Sequence, residues 1–441
     1  MPFLGLPNIK TISRDEAGGQ LRFVVESTTT PLCPHCHSDH LHKWTPKKDQ
    51  HFMDIPTHGH PTAIWLDRKR WKCVTCGKTF LEHLEWVDDS RKMTKRLAEF
   101  IKKESLKETF ASLSEAIGVD PKTIKNVFEE HVATLQNNFH FETPEILGID
   151  EIHLMKKPRG IFTNIGERTI LDILKDRNKT TVISYLKTLV TKKIQLVTMD
   201  MWRPYRDAVT EVIPHAQVII DKFHVVRLAN HALEKVRKAN RGILKPSQKR
   251  DLMHDRFILL KRNKELSDQE FFTLSHWLNN YEDLAKAYAL KEAFYYIYDA
   301  RDGKEAYNRY EIWESGLTSD IKPYFDDLHR AVNNWYKEIF SYFTYRHTNA
   351  YTESLNNIVR HIDRDGRGYS FEVLRAKLIY THGIIKQKTV RSGNSYNRDA
   401  FMVGKSTYGD MMKCSGQLFL ATQLEVFQKN FSLLFGDNPK L

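Results

Sequence analysis

Apolar positions change their spacing several times along this chain, and the changes divide it. From Thr94, Leu97, Phe100 and Ile101 recur at a helical period, with Thr94 placed to cap. A second helix is expected from Phe110, ended by Gly118. A third begins at Pro121 in the first helical position, with Asp120 as its N-cap. From residue 145 the period becomes strand-like. Ile146 to Leu154, Gly160 to Ile165 and Thr169 to Leu174 suit antiparallel strands. They precede a helix over Thr181 to Val190, a strand over Ile194 to Met199, a helix over Arg203 to Ile213 and a strand over Ala216 to Val226. Nearer the N-terminus, Phe52 to Asp54 and Ala63 to Trp71 read as short strands around the turn Thr57-His58-Gly59-His60-Pro61. Residues 229–345 are Pro-poor and helix-forming, which predicts an all-helical insertion with Trp277, Trp313, Trp335 and the Phe294-Tyr295-Tyr296 cluster mainly in its core.

A β-β-β-α-β-α-β order describes a ribonuclease-H-like mixed α/β sheet. It places Asp150 within the first strand and Asp200 at the C-terminal end of the fourth, adjacent positions at the edge where α/β sites lie. Glu353 opens a later helical segment, Thr352 to Arg360, with Asn356, Asn357 and Arg360 sharing or flanking its face. Each acid alone reads most simply as a cap or a dipole complement. Together, two strand-borne aspartates and a helix-borne glutamate can hold a pair of divalent cations for in-line phosphodiester displacement. Glu151 follows Asp150 on a strand, so it points to the other face and is not expected in the site.

Cysteine spacing adds a second kind of chemistry. Cys33-Pro34-His35-Cys36 and Cys73-Val74-Thr75-Cys76-Gly77 are two CxxC knuckles that can set four thiolates around one structural Zn²⁺, leaving His35, His37 and His40 outside the shell. This reads as a zinc ribbon with an enlarged middle. Five cysteines in all, four of them in these pairs, suit a reducing compartment. Beside the second knuckle, Arg68, Lys69 and Arg70 can grip phosphates or form a solvated strand face. Between ribbon and core, the short helix, Gly turn and Pro-started helix match a helix-turn-helix, whose DNA-reading residues would be Lys122, Thr123, Lys125 and Asn126.

Composition agrees with a polyanionic partner: the net charge is +12, and residues 221–264 hold 13 Lys/Arg against 4 Asp/Glu. No apolar stretch is long enough for a membrane span, and the N-terminus lacks a signal-peptide pattern, so a cytoplasmic protein is expected.

Several stretches carry a resemblance: Gly148-Ile149-Asp150-Glu151, Thr198-Met199-Asp200-Met201-Trp202-Arg203-Pro204-Tyr205, Asp221-Lys222-Phe223-His224, and Thr352-Glu353-Ser354-Leu355-Asn356-Asn357. In these the chain resembles the DDE transposases of bacterial insertion sequences, specifically the ISL-three family, over nearly its whole length. The resemblance implies that Asp150, Asp200 and Glu353 bind Mg²⁺ (or Mn²⁺). It also implies that Asp221 and His224 handle DNA, with Asp221 the rival of Asp200; Asn357 and Arg360, from their place on the Glu353 helix, can orient that carboxylate or touch backbone phosphate. The substrates would be double-stranded transposon ends and target DNA, held by a homodimer. The expected organisation is α+β and multidomain: zinc ribbon 1–90, helix-turn-helix 91–140, core 141–228, helical insertion 229–345, the last core segment with Glu353 at 346–390, and a tail 391–441 with a helical stretch at Leu418 to Phe435 and a plain thiol at Cys414. A transposase-derived regulator without catalysis and a structure-specific nuclease remain as alternatives.

Overall fold

The computed structural model describes residues 4–139 and 141–382; Cys414 and the stretch Leu418 to Phe435 lie outside the described residues. Contacts divide the chain into two units, one formed by the N-terminal segment through Glu142 together with residues 361–382, the other by Thr143–Arg360.

The first unit opens with β1 (Ile9–Ala17) and β2 (Gln20–Ser27), joined by Gly18-Gly19 with φ of 60° and 74°. Two glycines with positive φ are what a tight hairpin turn requires, and no strand was expected here. The two short strands expected around His58-Gly59 are longer, β3 (Leu41–Thr57) and β4 (His60–Cys73). With β5 (Thr79–Leu81), β6 (Val87–Asp88) and β7 (Met93–Thr94) they complete a seven-stranded sheet along the path β1-β2-β4-β3-β7-β6, β5 lying beside β4. Three helices follow, α1 (Lys95–Glu104), α2 (Phe110–Ile117) and α3 (Pro121–Asn138). Their caps are those expected: Thr94 accepts from Leu97 N–H, and Asp120 from Lys122 N–H. Gly118 closes α2 at φ 71°, and a Cβ there would come within 3.1 Å of Met53 Cε and 3.2 Å of Pro61 Cβ, so conformation and space both demand glycine. Buried Asp54 ties sheet to helices by accepting from Thr94 Oγ1 and Arg96 Nε, each at 2.7 Å.

In the second unit, β8 (Ile146–Leu154), β9 (Lys157–Asn164) and β10 (Thr169–Ile173) form an antiparallel meander. After α4 (Lys179–Leu186) comes β11 (Leu196–Met199), and after α5 (Arg203–Val212) comes β12 (Gln217–Ile220). The order β10-β9-β8-β11-β12, with β11 parallel to both neighbours, is the ribonuclease-H-like sheet. The strand expected to run to Val226 stops at Ile220. Asp221 accepts from Phe223 N–H at 3.3 Å and thereby starts α6 (Lys222–Asn240), so the proposed boundary at residue 229 falls inside a helix.

The insertion continues with α7 (Pro246–His254), α8 (Arg256–Leu260), α9 (Asp268–Asn280), α10 (Glu282–Ile297), α11 (Gly303–Ser315), α12 (Lys322–Asn334), α13 (Tyr336–Phe340) and α14 (Tyr342–Tyr345). Trp277, Trp313, Trp335 and Phe294 are buried in it, while Tyr296 is exposed. No described helix is long and apolar enough to cross a membrane.

The chain ends its described course with α15 (Ala350–Asp365) and α16 (Phe371–His382). Residues 361–382 group with the first unit, so the stretch 346–390 is divided within α15. Lys377 on α16 donates to the carbonyls of Ser105 and, at 2.7 Å, Glu108, and its ammonium lies 5.0 Å from the Phe110 ring centre and 5.5 Å from that of Phe128. Burial pushes its pKa down to about 8, against a pull from Glu108. Between that value and its ordinary one near 10.5, the unfolded chain holds a proton that the folded chain has lost. Stability is therefore expected to rise with pH across this window. Comparing melting curves at pH 7.5 and 9.5, wild type should gain on a Lys377→Met variant by about 2 kcal/mol; a constant difference would show that the ammonium is not desolvated.

Candidate active site and metal centre

The parallel ladder aligns Met199 with Ile149 on one side and with Ile220 on the other. The residue after each, Asp150, Asp200 and Asp221, therefore lies at the same level on three neighbouring strands. Asp221 N–H donates to Met199 O at 3.0 Å, fixing that level. Asp150, Asp200 and His224 each place a ligand atom within 4.8 Å of the others. His224 reaches this cluster because it sits in the first turn of α6. Its Nε2 approaches Asp200 Oδ1 to 3.0 Å, without the alignment of a hydrogen bond.

The electrostatics are those of crowded anions. Asp150 is 3% exposed, and burial, then the charge of Asp200, push its carboxyl up to about 9. Burial likewise raises Asp221 to about 6, opposed by Phe223 N–H and reinforced by Glu353 and Asp200. Burial alone would depress the His224 imidazolium, but Asp200, Asp150 and Asp221 outweigh it and raise its pKa. Oδ1 of Asp200 and Oδ2 of Asp221 are both buried; the first has only the His224 ring beside it and the second has no donor. Buried anionic oxygens so poorly met are costly unless a cation reaches them.

Glu353 arrives on α15, which is bolted to the sheet. Asn349 donates to Ile149 O at 3.1 Å and accepts from Thr198 Oγ1 at 3.2 Å, and Thr352 Oγ1 lies 2.7 Å from Thr163 Oγ1. The helix comes this close because Gly148 has no side chain: a Cβ there would lie 2.3 Å from Thr163 Oγ1 and 2.8 Å from Thr352 Oγ1. The Glu353 side chain is exposed and stands outside the three-residue cluster, though its charge is felt at Asp221. Gly148→Ala is expected to cost about 1–3 kcal/mol through overpacking and to slow any reaction that uses Glu353 at least tenfold by lifting α15, measurable in a cleavage assay beside a melting curve. Unchanged activity would mean that the register of α15 is irrelevant.

Glu151 is not one of the three clustered ligands, but it lines the same cleft as Asp200 and His224, so the expectation that strand alternation turns it to the other face is corrected. It pairs with Arg177, whose guanidinium lies 4.4 Å from the Trp202 ring centre. Together with Asp200, Tyr205, His224 and Arg227 they line a cleft of about 260 Å³. Sequence patterns missed Arg177, which falls in a loop without periodicity. Asn357 and Arg360 lie on the exposed face of α15.

In the first unit, the thiols of Cys33 and Cys76 are 3.6 Å apart and those of Cys36 and Cys73 are 3.5 Å apart. Zn–S bonds of about 2.3 Å in a tetrahedron need a separation of about 3.8 Å, so the set fits one structural zinc. The knuckles match: Gly77 N–H donates to Cys73 O and His37 N–H to Cys33 O, at φ of 69° and 58°. His37 thus occupies the turn position that Gly77 fills in the second knuckle. His35, His37 and His40 are exposed and outside the cluster.

The expected basic grip is corrected in part. Arg68 is 6% exposed and donates to Asp89 at 2.5 and 3.1 Å and to Glu82 O at 2.9 Å, so its guanidinium faces inward and is not free for phosphate. Lys69 donates to Ser27 O, while Arg70 is exposed. On α3, Lys122, Lys125 and Asn126 are exposed and Thr123 is half-buried. In the basic segment 221–264, Lys235, Arg237, Arg256, Lys261, Arg262 and Lys264 are spent on ion pairs. Lys238, Arg241, Lys245, Lys249 and Arg250 make none among the described residues.

Carboxylates on adjacent strand ends of a ribonuclease-H-like sheet, a helix-borne glutamate and an upstream helix-turn-helix define a nucleic-acid-processing protein of the DDE class. Comparison with known families agrees. Residues 147–378 match a family model described as a transposase of the ISL3 type, residues 82–132 the helix-turn-helix domain of transposase family ISL3, and residues 29–76 the zinc-finger of transposases IS204/IS1001/IS1096/IS1165. The chain belongs to the ISL3 family of transposases. It is 21% identical over 354 residues, 77% of this chain and 85% of the other, to a Bordetella parapertussis protein described as the transposase for insertion sequence element IS1001.

Proposed function

We propose that this chain cuts DNA at the ends of an insertion sequence and joins the freed 3′ ends to target DNA, with Asp150, Asp200 and Glu353 as its catalytic carboxylates. The observation that carries this is the meeting of Asp150 and Asp200 at one level of the sheet, with buried anionic oxygens poorly met by donors. Asp200 is preferred to Asp221 because one oxygen of Asp221 is engaged in capping α6. His224 is better placed to orient Asp200 than to touch DNA.

The donor set suits hard divalent cations. A bound pair of Mg²⁺ (or Mn²⁺) ions would stabilise the attacking and leaving oxygens of the displacement. The chain's own residues desolvate the site around Asp150, fix the direction of Asp200 through His224, and hold Glu353 at the rim where strands of DNA must enter. The exposed Lys122, Lys125 and Asn126 of α3 with half-buried Thr123, together with exposed Arg70, would read or grip the terminal inverted repeats. The cationic elbow from Lys238 to Arg250 would hold flanking backbone, and Asn357 and Arg360 would follow it on α15. Two ends per element call for a homodimer in the synapse. In this scheme the ribbon and the helix-turn-helix recognise, the sheet with α15 catalyses, and the helical insertion supports.

One experiment separates the alternatives. Wild type and Asp150→Asn are incubated with labelled end DNA, supercoiled target and Mg²⁺. Cleavage with joining, lost in the variant, is the expected result. Binding without cleavage would replace this reading by a DNA-binding regulator, and cleavage without joining by a nuclease.

A further inference from the structure

A second recess in the unit that carries the carboxylates is not used by that chemistry. It encloses about 530 Å³ and presents three cationic or ionisable bases, Arg168, Arg346 and His347, together with the hydroxyls of Thr348, Tyr351 and Ser354. No carboxylate lines it. Both arginines have left-handed backbones, at φ 54° and 57°, a conformation that costs a non-glycine residue energy and is often retained where function needs it. Arg346 is fixed by donating to the carbonyls of Ala300 and Arg301, each at 2.6 Å. Arg168 is exposed, and neither it nor His347 has an ion pair or side-chain hydrogen bond among the described residues.

Its position relates it to the carboxylates. The recess floor includes Ile146, the first residue of β8, four residues before Asp150 on the same strand. At about 3.3 Å per residue the two sites are about 13 Å apart. Tyr351 and Ser354 lie on α15 to either side of Glu353 in sequence. One strand of a DNA duplex advances about 3.4 Å per nucleotide, so about four nucleotides span the distance.

We propose that this recess holds the sugar-phosphate backbone of the duplex about four nucleotides from the bond being cut, an inference that rests on DNA being the substrate at Asp150, Asp200 and Glu353. Guanidinium groups and hydroxyls without competing carboxylates are the set that contacts phosphate oxygens, and such contacts position a duplex without reading its sequence. Arg168 is the principal free cation, while the tethered Arg346 braces the far wall.

The test measures binding, so it does not depend on cleavage. Full-length protein carrying Asp150→Asn is titrated with end DNA and with a scrambled duplex of equal length, between about 50 and 200 mM salt. Adding Arg168→Asn, a residue that tolerates positive φ, is expected to lower the salt slope by about one and weaken both duplexes alike, about five- to tenfold. Arg168→Lys should restore the slope. Lys192→Gln with Lys193→Gln, which removes exposed charge elsewhere on the same unit, should leave it unchanged. An unaltered slope in Arg168→Asn, or an equal loss in the Lys192/Lys193 control, would overturn the proposal. If Arg168→Asn lowers the slope while protein with Asp150 intact never cleaves end DNA in Mg²⁺, the strand-transfer reading is overturned and this one stands.

Discussion

Asp150→Asn should abolish strand cleavage, by about a thousandfold or more, while making the protein more stable to heat. The first effect removes a carboxylate oxygen that a bound divalent cation would keep deprotonated, and a thousandfold corresponds to about 4 kcal/mol of transition-state stabilisation. The second follows from what that oxygen costs the fold. Asp150 is buried against Asp200, and its carboxyl is raised to about 9. Between its ordinary value near 4 and that raised one, the folded chain keeps a proton that the unfolded chain has lost. Raising the pH through this window, without divalent cations, therefore favours unfolding. Asparagine never ionises, so the variant should gain at least about 1 kcal/mol at neutral pH, a rise of roughly 2–4 °C in melting temperature. Melting curves at pH 5 and pH 8 would show wild type falling relative to the variant. A variant that melts earlier at pH 8 would mean that Asp150 is structural, and one that still cleaves would remove it from the site.

Removing zinc should be the more drastic change for the N-terminal unit. Cys33 and Cys73 are fully buried at the base of the β3–β4 hairpin, and without a metal four thiols at 3.5–3.6 Å have nothing to hold them together. Structural zinc sites in small modules contribute about 10–16 kcal/mol of apparent binding energy. Cys73→Ser is expected to abolish stoichiometric zinc, measured by a colorimetric chelator, and to open the segment from Cys33 to Leu81 to proteolysis. Full protection of that segment in zinc-free protein would show that the sheet alone sustains it.

Much of this was legible in the residues, for reasons that can be named. Thr94, Gly118, Asp120 and Pro121 act within a few residues of themselves, so the three helices could be placed closely. The continuous apolar runs leading to Asp150 and Asp200 encode strands buried on both faces, which is why both acids could be placed at one edge of the sheet. What escaped depends on long-range partners. Arg68 looks like any basic strand residue until Asp89 closes on it. Val225 and Val226 read as strand because nothing in their own character reveals that Asp221 turns the chain into a helix two residues after Ile220. The β1–β2 hairpin is signalled only by Gly18-Gly19, because β1 is polar and exposed along nearly its whole length and carries no apolar alternation. The placement of α16 could not be inferred locally, because Lys377 finds its acceptors about 270 positions upstream.

That last connection sets the order in which the protein can mature. The pocket around Phe110 and Phe128 is filled from residues near position 370 onwards, so the helix-turn-helix leaves the ribosome long before its own cover is made. At about 5–20 residues per second the interval is roughly 12–50 seconds. Nascent chains, and fragments from early stop codons, should therefore be poor competitors for DNA: the helix-turn-helix is finished only when the ribonuclease-H-like core has already been synthesised.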